Sequence, residues 1–310
     1  MSFSNINESA KLTKHRRSID KEVYSVLKTG EKSLQDLIWN QHLYHEYRRW
    51  SAGEFIEKID LNCLTEDDKY FIYNAGRAEL TTKPGADRLS NLADKECRYW
   101  EKKDPALSAV MQACGTWSRY WNEEESHHEM SLLTLSKIIG YREVDNVTII
   151  DYRRIFPDDD MLRTLAMLTF SECAAAAQYA AFSDYTHELN LKKLTRQISQ
   201  DEIQHMNYFI GFAKALVNSG HYSPKGVFAI GHLFLKDGGE LEGSTRAQTE
   251  KHRNHVNWWD HVEDTNNKIR INNARERKEK LMLTAIHKMT GIHVSSPTEV
   301  EDTWMELVSC

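Results

Sequence analysis

The chain has 310 residues, with 40 Lys and Arg against 46 Asp and Glu, a formal net charge of -6. That balance argues against a general nucleic-acid binder, which needs surplus cations to neutralise phosphates. Only 5 prolines and 14 glycines favour long helices over a turn-rich β fold. The five cysteines, Cys63, Cys97, Cys114, Cys173 and Cys310, are scattered and form no Cys-x-x-Cys pair. They give no sign of a disulfide framework or a zinc ribbon, and reduced thiols in a cytoplasm are expected. The N-terminus has no signal-peptide apolar core, and no apolar run reaches the roughly 18 to 20 residues that span a bilayer.

In chain order, residues 1 to about 35 are polar with little periodicity and read as a loosely held leader. Trp39 to Ile59 is more apolar and is expected to lie across one end of the fold, completing a leader and cap segment over 1–60. Thr65, followed by Glu66, Asp67 and Asp68, opens a helix with a hydroxyl cap and acids in its first turn. That helix is expected to kink at Pro84 and continue to about Lys102. Asp104-Pro105 starts a second, ended by Gly140. After a connection from Tyr141 to Pro157, a third helix spans about Asp159 to Glu188. A tight turn near Asn190 leads to a fourth, ending at Ser219-Gly220.

Two helical hairpins joined by a long crossover are the connectivity of ferritin-like four-helix bundles. An all-α fold is expected, with this bundle over 61–220 and a helical C-terminal extension over 221–310. The extension holds an apolar stretch (Val227 to Leu235), a Gly-rich turn (Asp237 to Gly243) and a polar helix through Trp258 and Trp259. The run from Asn266 to Lys280 carries six basic residues against two acids. It reads either as a solvated helix face or as a dock for an acidic partner.

The chemistry is concentrated in two Glu-x-x-His sequences, Glu125 to His128 and Glu202 to His205. On the second helix one face reads Val110, Cys114, Trp117, Trp121, Glu125, His128, Leu132, Leu135, Ile139. On the fourth it reads Leu191, Leu194, Ile198, Glu202, His205, Phe209, Phe212, Leu216. Both follow the rhythm of a core-facing helix. A carboxylate buried without a partner costs several kcal/mol, so two such pairs on apolar stripes point to cations.

Facing residues of an antiparallel hairpin lie equally far from its turn. Counting back from Glu202 through a turn near residue 187 gives Glu172, on a face with Met161, Leu165, Leu168, Ala175 and Tyr179. From Glu125 through a turn near residue 102 the count gives Glu79, beside Phe71, Ile72 and Ala75; Pro84 leaves its facing open. Glu79, Glu125, His128, Glu172, Glu202 and His205 are the candidate metal-ligating and catalytic residues. Four carboxylates balance two divalent cations, with iron favoured and manganese fitting the same donors. His42 with His45, and His252 with His255, share one-turn spacing but lack acids on apolar stripes, so surface or core histidines are expected there.

The stretch Trp121 to His128 resembles the Trp-x-x-Glu-Glu-x-x-His segment of the soluble acyl-acyl carrier protein desaturases. Asp201 to His205 resembles their Asp-Glu-x-x-His segment, and Phe170-Ser171-Glu172 the opening of their third metal helix. Trp50 with Glu54, Phe55 and Ile56 is similar to a tryptophan motif ahead of the first. The resemblance covers roughly residues 45 to 215. It implies two iron ions, dioxygen chemistry on an acyl chain held by acyl carrier protein, and a ferredoxin-type electron donor; a homodimer is expected. It also implies an electron route through Trp50, Asp201 and His128, with ordinary packing as the other reading of Trp50. Ile198 stands where related N-oxygenases carry an extra histidine, which favours the desaturases. Ala175 stands where the desaturase family has a threonine, which keeps hydroxylation or N-oxygenation of a small or carrier-bound metabolite as the alternative. Met111, Met167, Leu168 and Phe209 are candidates either to line a substrate channel or to fill the core.

Overall fold

A computed structural model describes residues 8–141, 144–146, 149, 160–236 and 265–309. Among them the secondary structure is helical, with no strand. The helices are α1 (Glu8–Thr29), α2 (Glu31–Arg48), α3 (Ala52–Ile56), α4 (Glu66–Glu79), α5 (Thr82–Trp100) and α6 (Pro105–Ile139). After the crossover come α7 (Met161–Tyr185), α8 (Leu189–Asn218), α9 (Lys225–Lys236), α10 (Thr265–Thr290) and α11 (Pro297–Ser309). No described helix is long and apolar enough to cross a membrane. Most of the crossover, the Gly-rich turn, the stretch through Trp258 and Trp259, and the His252 and His255 pair lie outside the described residues.

Local sequence sets the helix ends. Thr65 and Asp68 form a reciprocal capping box at the start of α4. Asp104 accepts the Leu107 N–H at 3.0 Å, and Pro105 supplies the fixed φ of a first helical residue. Gly140 ends α6 with φ +67°, a conformation that a Cβ would strain. Replacing Asp104 by Ala removes the cap of the longest described helix and is expected to cost about 1 kcal/mol. Urea unfolding of the variant beside the parent checks this.

Packing joins α7 to α8 and both α4 and α5 to α6, with short links at 186–188 and 101–104, so the chain folds back as two hairpins. Gly76 permits the close approach of α4: a Cβ there would meet Leu132 Cβ and Leu133 Cδ2 at 3.2 Å. Two apolar clusters fill the interior. One holds Val110, Trp117, Trp121, Leu168 and Phe209, the other Phe71, Leu132, Phe182, Leu194 and Ile198. Each cluster draws on α6, α7 and α8, so the polar residues lying between them in sequence form a layer across the core.

Several expectations are corrected. The loose leader is instead α1, which buries Ile19, Val23 and Val26 against α2, α6 and α8. Its apolar positions are spaced too sparsely among charges to stand out in sequence. The single kinked helix is two. Pro84 has no N–H to offer the Leu80 carbonyl, and the chain tightens into a turn at Leu80 and Thr81 before α5 begins. The turn placed near Asn190 falls at 186–188, capped by Glu188, while Asn190 is already helical. The segment from Trp39 onward includes most of α2, which packs along α1 and α6. In the basic run, Arg270 lies over the Tyr185 ring at 5.2 Å, Arg277 pairs with Asp184 at 2.8 Å, and Arg275 and Lys280 are exposed.

Candidate metal centre

The six predicted donors converge. One donor atom each from Glu79, Glu125, His128 and Glu202 lie within 4.8 Å of one another, as do those of Glu125, Glu172, Glu202 and His205. All six residues are buried, from 0 to 6% exposed. Glu125 and Glu202 belong to both clusters, Glu79 with His128 to one, and Glu172 with His205 to the other. Mid-helix positions on α6, α7 and α8 supply five donors, and the last residue of α4 supplies Glu79.

The imidazoles present one nitrogen inward. His128 Nδ1 lies 3.5 Å from Glu125 Oε2 and 3.4 Å from Glu202 Oε1. His205 Nδ1 lies 2.6 Å from Glu125 Oε1, 3.1 Å from Glu202 Oε2 and 3.9 Å from Glu172 Oε2. Their Nε2 atoms face outward onto carboxylates: His128 onto Asp201 Oδ2 at 3.2 Å and His205 onto Glu124 Oε2 at 2.8 Å. An outer carboxylate that accepts Nε2–H fixes the tautomer whose Nδ1 lone pair points into the cluster.

Three donors steady the cluster carboxylates. Trp121 Nε1–H donates to Glu125 Oε1 at 3.1 Å, Thr82 Oγ1 reaches Glu125 Oε2 at 3.4 Å, and the Tyr179 hydroxyl donates to Glu79 Oε1. Burial, reinforced by Glu125 and Glu202, pushes Glu79 well above the usual carboxylate range, and burial with Glu202 and Glu125 does the same to Glu172. Burial alone would raise Glu125 as well, but His128 and His205 hold it well below. Without cations, then, protons must neutralise this layer.

The donor set fits two cations. Each cluster offers three carboxylates and one imidazole, a hard oxygen-rich set with one nitrogen, suited to a divalent first-row metal. His128 Nδ1 is fully buried, has no hydrogen-bond partner and is aimed between two carboxylates. A cation accepting that lone pair would satisfy it.

Trp50, half-buried just after α2, donates Nε1–H to Asp201 Oδ2 at 2.7 Å and lies nearly parallel to the His128 ring, 6.2 Å between centroids. Asp201 thus bridges Trp50 and His128. Ala175 is half-buried, one turn beyond Glu172, and Ile198 is fully buried. Met111, Met167, Leu168 and Phe209 all belong to one apolar cluster.

Of the groups behind the histidines, the resemblance named Asp201 and Trp50, but sequence reasoning missed Glu124, Arg48 and His45. Glu124 accepts from Arg48 Nη1 at 2.8 Å, while Arg48 Nη2 donates to Asp201. His45 Nδ1 lies 2.8 Å from Glu124 Oε1 and its Nε2 3.3 Å from Glu123 Oε2, so it is a buried carboxylate partner. His42 instead lies between Trp39 and Tyr120, its ring tilted 44° to each with centroids 6.1 Å away. The signal was present: Leu34, Leu37, Gln41, His45 and Arg48 recur at helical spacing, a buried stripe whose last members are polar. Searches against protein-family models and against curated proteins find no match to this chain.

Proposed function

We propose that the chain is a dinuclear metal oxidoreductase of the acyl-acyl carrier protein desaturase type, in which the two hairpins form a ferritin-like four-helix bundle around the metals. The observation that carries the reading is the pair of overlapping clusters that share Glu125 and Glu202. Glu79 and His128 would hold one cation and Glu172 and His205 the other, with the shared carboxylates between them. Iron is assigned because oxygen-rich ligands with one imidazole per ion suit a redox-active first-row metal; manganese fits the same set. When bound, the iron pair supplies the reduction of dioxygen and the oxidising power to remove hydrogen from unactivated carbon.

The protein's own residues hold and seclude. Trp121 and Thr82 orient Glu125, Tyr179 orients Glu79, and Asp201 and Glu124 fix the histidine tautomers. Apolar clusters on either side keep bulk water from the layer. The Trp50–Asp201–His128 chain runs from a half-buried indole to the centre and supports the reading of an electron-entry route. On this reading the substrate is an acyl chain delivered by acyl carrier protein, a ferredoxin-type protein is the donor, and the chain works as a homodimer.

Ala175 favours a second outcome, insertion of oxygen into a small or carrier-bound metabolite. Incubating the iron-loaded protein with reductant, dioxygen and an acyl-acyl carrier protein, followed by mass spectrometry, separates the two. Loss of two hydrogens is expected, gain of one oxygen would select the oxygenase, and an unchanged acyl chain would overturn the desaturase assignment.

A further inference from the structure

We propose that Arg48, on a helix that supplies no cluster donor, is the positioning residue for both halves of the metal centre. This rests on the dinuclear reading above and adds the group that makes the two halves interdependent. One guanidinium closes the chain His128–Asp201–Arg48–Glu124–His205, reaching Glu124 through Nη1 and Asp201 through Nη2. Its side chain is only 5% exposed, so a buried cation sits between two buried carboxylates.

The geometry explains why arginine is needed. A planar fork with two fixed N–H directions sets the separation of its two acceptors, and a lysine point charge does not. Asp201 also accepts from Trp50 and Gln197, and Glu124 contacts His45. Both carboxylates are therefore saturated on the side away from the cluster. What remains for each is the outward Nε2–H of one ligand histidine. Without Arg48, two negative charges lie close together, uncompensated and free to turn away from each other. That turn releases the Nε2–H that keeps each Nδ1 aimed inward. Partners of metal-ligating histidines typically set metal affinity by about 10- to 100-fold.

Cobalt(II) titration of the metal-stripped full-length chain, read by visible absorption and by bound metal per chain, tests this. Wild type is expected to take up two ions. Arg48→Met is expected to weaken both by about 10- to 100-fold and to shift the ligand-field bands, while Glu124→Gln and Asp201→Asn each weaken mainly the half served by its own histidine. Arg48→Lys keeps the charge without the fork, so restored folding without restored affinity is expected; it also decides the matter if Arg48→Met does not fold. Wild-type affinity and spectrum in a folded Arg48→Met or Arg48→Lys variant would overturn the role given to Arg48. A wild-type chain that binds no cobalt would overturn the metal reading instead, so the two failures are distinguishable.

Discussion

Glu202→Ala is expected to strip the chain of nearly all bound metal, whereas Glu172→Ala is expected to leave about half. The difference follows from sharing. Glu202 contributes to both donor clusters and Glu172 to one. Loss of a shared carboxylate removes a donor from each ion and also one of the four charges that balance two divalent cations. Two cations held by three carboxylates would leave net positive charge in a dry layer, which the interior opposes strongly. The fall in affinity should exceed the ~10- to 100-fold typical of outer partners, for both ions together. Elemental analysis of the purified variants decides it: Glu202→Ala retaining its full metal complement would refute the shared-carboxylate assignment. Alanine at either position is also expected to abolish the acyl-chain oxidation proposed above.

Phe182→Ala should produce the largest loss of stability, about 3 to 5 kcal/mol. Phe182 is fully buried on α7 and stacks on Phe71 of α4, with centroids 3.6 Å apart and rings 9° from parallel. Phe182 and Phe71 sit on two of the helices that carry donors, whose dense packing resists collapse, so the cavity should persist. Guanidinium unfolding of the metal-free chain, which removes ion binding from the comparison, measures the difference. Because the variant keeps every donor, it should still load metal at low temperature. A loss below about 1 kcal/mol would mean that the site collapses readily.

Periodicity made the cluster donors legible. On α6 and α8 each Glu and His replaces a residue in an otherwise apolar stripe, and all eight members of the α8 stripe are buried. Hairpin arithmetic located Glu172 and Glu79 because α7 turns back onto α8, and α4 with α5 in line turns back onto α6, through short links at 186–188 and 101–104. The turn at 186–188 agrees with the count through residue 187, whereas the expectation of a turn at Asn190 rested on residue type alone. The stripe Leu34, Leu37, Gln41, His45, Arg48 marks the burial of Arg48 but not its partners, and Glu124, one glutamate in a run of three, carries no local mark of its own. Their roles come from contacts 76 and 153 residues apart in sequence. The helix α1 escaped for another reason: its stripe of Ile19, Val23 and Val26 is embedded in a strongly charged segment.

The break at Leu80 and Thr81 gives Glu79 a status unlike that of its five companions. The backbone under a donor in the middle of a long rod shifts only if the rod slides or rolls, and that disturbs many packed neighbours at once. Glu79 closes α4, and the next two residues form an articulation that can absorb a small rotation. On the proposed metal-centre reading, backbone adjustment would therefore concentrate at this carboxylate, tethered by the Tyr179 hydroxyl, while the helices that carry the remaining donors act as a fixed frame.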